Sequence, residues 1–497
     1  MIGTFRSYLS SYLGMSLNYR MQMGYLDHLL RLPLRIHETR LVGDLLQRAG
    51  DLSSVRTVLT GLIVSVPVAL LTLVFSLGLL LFYNIQLAAV AALGLLLDIA
   101  YVFIISPRLR DNSRRVLKKS GELNSFMIGS LEGISALKAF SAEKWAVFKG
   151  RNQIGGLMDQ SWRGFMLGNN SSVVFGLLGN LTSLLTLWFG ATQVLQGNLS
   201  VGQLVATYGL TGNAIGALST LIGSVQSIQQ GIVSSDRLAE ILELPTEGGE
   251  GKSDTLPNLT HSLAVENLTF GYQPERPILN GVHLELPRGS YTVLLGPNGS
   301  GKTTLCNLLT ALLEPTAGKI TWDGLPLGDY TPEAIRSRVA YQRQEVPMFY
   351  ASLLDNLTLG RKLSEQRVRE VVRALEMEQI VRRLPEGLQT TLGGDSPHRL
   401  SSGERQVLGL ARLLLSDADV LILDEPTATL DMHREGQVVR LLGRLKGQKT
   451  VLVITHRPAL MAPADAVVEL VEGRIRPVSH NIAPTVRAVS LSDQERV

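Results

Sequence analysis

Gly296-Pro297-Asn298-Gly299-Ser300-Gly301-Lys302-Thr303, followed by Thr304, has the spacing G-x-x-x-x-G-K-T. Directly before it, Tyr291 to Leu295 is a short apolar run that reads as a buried strand. A loop of this kind between a strand and a helix suits phosphate. Its glycines let backbone N–H groups turn onto phosphate oxygens, and Lys302 adds positive charge at the β- and γ-phosphates. The Thr303 hydroxyl is a ligand for Mg²⁺. A second apolar strand, Val420-Leu421-Ile422-Leu423, ends in Asp424-Glu425. Two acids after a strand could simply open a helix. Beside a phosphate loop they gain roles: Asp424 holds Mg²⁺ through water, and Glu425 accepts a proton from the attacking water.

Between these elements lies Leu400-Ser401-Ser402-Gly403-Glu404-Arg405-Gln406, then a helical pattern through Leu415. Here the chain resembles the ABC transporter ATPases, whose signature at this place usually reads LSGGQ. Leu400, Ser401 and Gly403 match; Ser402 and Glu404 depart. The resemblance implies that the motif opens a helix and grips the γ-phosphate of ATP bound to the opposite ATPase domain, a task suited to backbone N–H groups and the helix dipole. Taken by itself the string could be an ordinary helix cap.

Other landmarks of the family follow in order. Tyr272, in Phe270-Gly271-Tyr272, corresponds to the aromatic that stacks on adenine. Gln344, in Tyr341-Gln342-Arg343-Gln344-Glu345, corresponds to the glutamine linking Mg²⁺ and water to the membrane domain. Asp431, in Thr429-Leu430-Asp431, belongs to the loop that crosses the dimer, and His456, in Ile454-Thr455-His456-Arg457, to the contact with the γ-phosphate. Asp395 corresponds to an acidic loop before the signature. The resemblance thus implies ATP and Mg²⁺, with Thr303, Gln344 and Asp424 around the metal and Glu425, His456 and Gln344 as the catalytic set.

These residues need an α/β P-loop domain to position them, and that domain is only part of the chain. With 497 residues the chain is long enough for two or more domains, and 45% of it is hydrophobic. The excess is concentrated in the first half. Gly164 to Ser235 contains no Asp, Glu, Lys or Arg, and Thr57 to Tyr83 contains none either. A helix needs about 20 apolar residues to cross a bilayer core. Four spans are predicted, about 57–83, 85–106, 162–196 and 199–232, paired in hairpins at Asn84 and at Gln196-Gly197-Asn198. The intervening segment carries Arg108, Arg110, Arg114, Arg115, Lys118 and Lys119, while the hairpin turns are uncharged. The positive-inside rule puts 108–163 in the cytosol, on the same side as the P-loop domain.

The expected organisation is an all-α transmembrane domain at 1–243, a linker at 244–259, an ATP-binding domain at 260–476 and a loose tail at 477–497. Leu32-Pro33-Leu34 with Gly43-Asp44, and Ser130 through Glu143, resemble the cytoplasmic coupling segments of ABC exporters, about 32–50 and 120–145. Exporters of this type have six membrane helices per half. Met1 falls within what resembles the second, and Phe5 to Leu30, with Arg6, Arg20 and Asp27, makes a poor complete span. No peptidase domain precedes the membrane part, so leader cleavage is not expected of this chain.

Asp98 lies inside a span, where a carboxylate costs about 2.5–3.5 kcal/mol on insertion scales. It either lines a transport cavity or sits hydrated or paired near the end of the span. Asn169, Asn170, Asn180, Asn213 and Gln226 are also intramembrane, and such groups more often hydrogen-bond between helices. Net charge is +4 with one cysteine, Cys306, so a disulfide framework and a cysteine metal site are excluded within one chain. Cys306 reads as a small buried residue after the phosphate loop.

The reading is of an exporter half-transporter in a bacterial inner membrane, working as a homodimer or as a heterodimer with another half-transporter, in contact with membrane lipid. Its sequence around 32–56 and 134–143 looks most like exporters of peptides and bacteriocins, with lipids or drugs as the alternative cargo. A non-transporting remnant or regulatory subunit is a further alternative. A soluble ABC ATPase acting on nucleic acid is disfavoured by the four spans, and no nucleic-acid partner is expected.

Overall fold

The computed structural model describes residues 2–40, 42–248, 251–273, 275–394 and 396–478. The chain divides into two compact units, Met1–Thr246 and Glu247–Val497. Asp395 and the tail from 479 onward lie outside the described residues, as does the side chain of Gln226.

The first unit is helical: α1 (Ile2–Leu30), α2 (Leu34–Thr39), α3 (Val42–Thr60), α4 (Val66–Tyr83), α5 (Ile85–Glu132), α6 (Ile134–Ala139), α7 (Glu143–Leu195) and α8 (Val201–Leu242). One π-helical turn, Gly61–Ser65, joins α3 to α4 without a break. Among the described residues, three stretches are long and apolar enough to cross a membrane: Gly43–Tyr83, Ile85–Glu132 and Glu143–Leu195. Asn84 caps α5 by accepting from the N–H groups of Gln86 and Leu87. Ser200 caps α8 in a capping box with Gln203.

Proline normally ends a helix, and the sequence places the edge of a span at Ser106. Yet α5 passes through Pro107 and continues to Glu132. Proline removes one donor from the ladder. Packing holds the helix on either side: Gly94 lies against Thr182 of α7, Tyr101 stacks edge-on with Phe175, and Gln160 donates to Asn112 at 2.6 Å. The short helices α2 and α6 stand in the two segments read as coupling regions. Buried Arg48 on α3 bonds Asp44 at 3.0 Å and Glu240 of α8 at 2.9 Å, so this end of the bundle is tied by charge as well as by the apolar cluster of Tyr25, Leu45, Leu52 and Ile241.

Asp98 is buried, 4% exposed, and its Oδ1 has no hydrogen-bond partner. Asp98 is not among the residues lining two cavities of this unit. One, of about 520 Å³, is bordered by Ser54, Arg110, Asn112 and Ser161. The other, of about 590 Å³, is bordered by Ser171, Phe175, Asn180 and Ser219. Asn180 thus faces a cavity, while Asn169, Asn170 and Asn213 are exposed.

Among the described residues the second unit holds twelve strands: β1 (Ser262–Phe270), β2 (Leu279–Pro287), β3 (Tyr291–Leu295), β4 (Ala317–Trp322), β5 (Leu325–Pro326), β6 (Val339–Gln342), β7 (Ala351–Ser352), β8 (Thr391–Leu392), β9 (Val420–Asp424), β10 (Thr450–Ile454), β11 (Ala466–Val471) and β12 (Arg474–Pro477). An antiparallel sheet runs β2-β1-β4-β5, and a larger one runs β12-β11-β3-β10-β9-β6. In the larger sheet only the β11–β12 pair is antiparallel.

All five residues of β9 and of β10 are buried, as near-continuous apolar runs in a covered parallel sheet should be. Their side chains alternate between two cores. Leu421, Leu423, Val451 and Val453 join one cluster, while Val420, Ile422, Leu452 and Ile454 join the other beneath the helix Lys302–Leu309. Cys306 is fully buried there. Leu256 and Leu259, expected in a linker, are buried in that second core, and Trp322 Nε1 donates to the Pro257 carbonyl at 3.0 Å. Their apolar side chains draw this stretch onto the domain.

Candidate nucleotide site

In a parallel sheet, ligands sit beyond the carboxyl ends of the strands. Register decides which residues meet there. Leu294 of β3 pairs with Ile454 of β10, Ile454 with Asp424 of β9, and Leu423 of β9 with Gln342 of β6. The loops leaving these four strands are therefore neighbours: Gly296–Thr303, His456, Asp424-Glu425 and Gln344.

The phosphate loop turns where only glycine fits. Gly296 has φ 147°, and a Cβ there would lie 2.4 Å from the Leu470 carbonyl oxygen. Gly301, φ 102°, leads into the helix Lys302–Leu309, and a Cβ on it would come within 2.8 Å of Ile278. Lys302 Nζ folds back to donate to the carbonyls of Gly296 at 2.6 Å and Pro297 at 2.9 Å. Ser300 Oγ is buried without a partner. A glycine-rich backbone loop with an unspent hydroxyl and a lysine ammonium folded over it fits a phosphate group. Thr304 is buried under the loop.

Thr303 Oγ1 and Tyr341 Oη both donate to Asp424 Oδ2, each at 3.2 Å. Burial pushes the Asp424 carboxyl above its usual range, and these two donors pull it back. A threonine hydroxyl and a carboxylate in contact are a hard, all-oxygen set, which suits Mg²⁺. Gln344 is exposed and stands on the wall of a separate cleft of about 340 Å³ with Ser402, Arg405 and Thr429.

Glu425 follows β9 with φ 49°, a left-handed conformation that is uncommon for a side chain of this size. Its N–H donates to the Ile454 carbonyl at 2.9 Å, and its Oε1 lies 4.0 Å from His456 Nε2. Burial raises its carboxyl above the ordinary glutamate range, and His456 opposes that rise. Tyr272 is half-buried, its ring edge-on to Phe270 at 5.2 Å.

The signature residues are held differently. Ser401 caps the helix Ser402–Leu414, accepting from the Glu404 N–H at 3.2 Å, while the Glu404 carboxylate accepts from the Ser401 N–H at 2.8 Å. Glu404, the departure from the usual signature, thus closes a capping box. Its buried carboxylate also bonds Arg383 at 2.9 Å. Gly403 faces the next loop, where a Cβ would stand 3.2 Å from the Thr429 carbonyl. Among the described residues, no hydrogen bond joins Ser401, Ser402 or Gly403 to the phosphate loop. Asp431 caps the helix Met432–Leu445 through the Arg434 N–H.

Four residues to which the sequence gives no role brace the site: Tyr341 on Asp424, Arg383 on Glu404, and Arg457 and Gln406. Arg457 bonds Glu435 at 2.8 Å and the Ala428 carbonyl at 3.0 Å. Gln406 bonds both the Glu425 carbonyl and Thr429. A residue two places after the signature, polar yet in a helix of buried leucines, was the available sign of Gln406.

A family described as ABC transporter matches residues 279–428, and one described as ABC transporter transmembrane region matches 1–218. The alpha-hemolysin translocation ATP-binding protein HlyB of Escherichia coli is 29% identical over 450 residues, covering 90% of this chain and 63% of its own length. The lactococcin-A transport/processing ATP-binding protein LcnC of Lactococcus lactis subsp. lactis is 29% identical over 478 residues, covering 95% of this chain and 66% of its own. The chain therefore spans somewhat less than two thirds of the length of these relatives. A solved bacterial Atm1-family ABC exporter with ATP bound shares the fold, with a TM-score of 0.88 at 22% identity over 95% of this chain and 83% of that one.

Proposed function

The chain belongs to the ABC transporter family in its exporter form, a multi-pass membrane region fused to a cytoplasmic ATP-binding domain, and from that premise we propose an ATP-driven half-transporter that exports a polypeptide. One observation carries the ATPase part. Lys302, Asp424, Glu425 and His456 stand at adjoining carboxyl ends of three parallel strands, with Glu425 and His456 4.0 Å apart.

ATP enters as substrate. The amides of 296–304 and Lys302 hold its β- and γ-phosphates, Lys302 exchanging its carbonyl partners for phosphate oxygens, and Tyr272 stacks on the adenine. Thr303 and Asp424 are the residues that would hold Mg²⁺, with Gln344 joining them. When bound, the ion neutralises charge on the phosphate oxygens. Glu425 takes a proton from water as the water oxygen bonds to the γ-phosphorus. The bond from phosphorus to the bridging oxygen breaks, and ADP leaves with that electron pair. His456 holds the γ-phosphate and opposes the rise that burial imposes on the Glu425 carboxyl.

The Leu400–Glu404 motif serves ATP held by a second ATPase domain, and Asp431 crosses to it. The second half is another copy of this chain or a different half-transporter, in a bacterial inner membrane. Closing of the pair drives the helical units between inward- and outward-open arrangements. HlyB and LcnC are named for alpha-hemolysin and lactococcin A, which favours polypeptide cargo. The uncharged, serine- and glycine-bordered cavity of about 590 Å³ suits a polar backbone better than a lipid tail.

The test is ATPase activity of the purified chain in lipid beside Glu425→Gln, with uptake of labelled peptide and labelled lipid into inverted vesicles. Hydrolysis and peptide uptake that both vanish in the variant are expected. Hydrolysis indifferent to Glu425, or uptake of lipid alone, would overturn the respective half of the proposal.

A further inference from the structure

We infer that Gln406 is a positioning residue that ties the signature helix to the Glu425 loop of the same chain, and so couples the two ATP sites of the assembled pair; the inference rests on the ATPase reading above. Gln406 is 3% exposed and its side-chain amide is spent on three bonds. Nε2 donates to the Glu425 carbonyl at 2.6 Å. Oε1 accepts from the Thr429 N–H at 3.1 Å and from the Thr429 hydroxyl at 2.5 Å. These partners fix which end of the amide is which, because a carbonyl needs a donor and an N–H an acceptor.

Glu425 makes the link consequential. At φ 49° its backbone persists only because its surroundings hold it. Its N–H is held by Ile454 of β10, and its C=O by Gln406. One clamp belongs to the sheet of its own phosphate loop. The other belongs to the helix whose N-terminus, Ser401 to Gly403, addresses the ATP of the other domain. Ser401 and Gln406 are separated by roughly 7 Å of rigid helix at about 1.5 Å per residue. Gly409, one turn further on, leaves no room for slack, since a Cβ there would lie 2.8 Å from Val346 and 2.9 Å from Gln342. A shift of this helix on engaging the second ATP therefore reaches the Glu425 carbonyl and, through Thr429, the loop that carries Asp431. Each site is told whether the other is filled.

The two arms separate by substitution. Gln406→Glu keeps an acceptor for Thr429 but replaces the donor to Glu425 with a second oxygen. Thr429→Val removes the hydroxyl arm and leaves the Glu425 bond. Both are measured in the lipid-reconstituted full chain, by hydrolysis rate against ATP concentration and by binding of a fluorescent ATP analogue, with Gln406→Met as a neutral replacement. Wild type is expected to hydrolyse with a Hill coefficient above 1. In Gln406→Glu and Gln406→Met, analogue affinity should stay within about twofold while kcat falls about tenfold to a hundredfold and the Hill coefficient drops to 1. Thr429→Val should keep kcat within about threefold with reduced cooperativity. Wild-type hydrolysis with unchanged kcat and Hill coefficient in Gln406→Glu would overturn the inference alone, and so would a wild-type Hill coefficient of 1. A wild-type chain without hydrolysis would overturn the ATPase reading and the inference with it. A Gln406→Glu chain that no longer binds the analogue, with Thr429→Val fully cooperative, would assign Gln406 to folding only.

Discussion

The Thr303 hydroxyl donates to Asp424 Oδ2 at 3.2 Å across 121 residues of sequence. In the proposed function these two oxygens would hold the cation, and Tyr341 steadies the same carboxylate oxygen. Asp424→Asn should lower hydrolysis by about a hundredfold or more, the scale of losing several kcal/mol of charge stabilisation, and should shift the Mg²⁺ requirement upward. Tyr341→Phe, which removes only the neutral donor, should cost under about tenfold. Titrating hydrolysis against Mg²⁺ in the two variants checks both. Equal effects would mean that Asp424 acts only through packing.

A pH dependence follows from Glu425. Burial raises its carboxyl and His456 lowers it. In its proposed role as general base it would work ionised, so kcat should fall as pH drops through a value above the ordinary glutamate range of about 4.3. In His456→Ala the opposing charge is gone, the pKa rises further, and the acid limb should move to higher pH, separately from any loss of height. A limb that stays in place or moves down in His456→Ala would rule out this pairing.

Much of this site was legible because its residues are contiguous in sequence. The phosphate loop and Asp424-Glu425 each occupy one strand end, so local spacing is enough to find them. The braces were not legible. Gln406 meets Glu425 19 residues away and Thr429 23 away, and Arg383 meets Glu404 21 away, each through a turn that only the folded chain closes. Glu404 departs from LSGGQ by residue type, yet Ser401-x-x-Glu404 has the spacing of a capping box, and that is the bond the fold makes. Leu256 reads as linker for the opposite reason: local composition marks a linker there, and tertiary packing draws the stretch onto the domain.

Close helix contact in the membrane unit can be tested at Gly94. A Cβ on it would lie 2.1 Å from Thr182 Oγ1 and 2.9 Å from Thr182 Cβ, and Thr182 is held by its own bond to the Leu178 carbonyl at 2.9 Å. Small residues let membrane helices approach in this way. Gly94→Ala should destabilise the unit by about 1–3 kcal/mol, and Thr182→Gly should return part of that loss in the double variant. Thermal midpoints in detergent across the four-protein cycle give the coupling. Additive effects would mean that α5 and α7 do not meet at this point.

The Arg383–Glu404 bond yields a prediction with a definite pH window. Burial alone would raise the Glu404 carboxyl. Arg383 and the Ser401 N–H hold it below its usual value. A depressed folded-state pKa adds stability above the unfolded value of about 4.3, and that stability is lost as pH falls through the folded value. Arg383 is 56% exposed, so solvent screens the pair and its removal should cost only about 0.5–1 kcal/mol. In Arg383→Ala the ATPase domain should therefore melt about 1–4 °C lower at pH 7, with the difference shrinking as pH falls towards 4. Glu404→Gln keeps an acceptor for the Ser401 N–H and should retain the helix cap while abolishing the pH-dependent part. An Arg383→Ala deficit of the same size at both pH values would place the contribution of Arg383 in the packing of its aliphatic stem, not in charge.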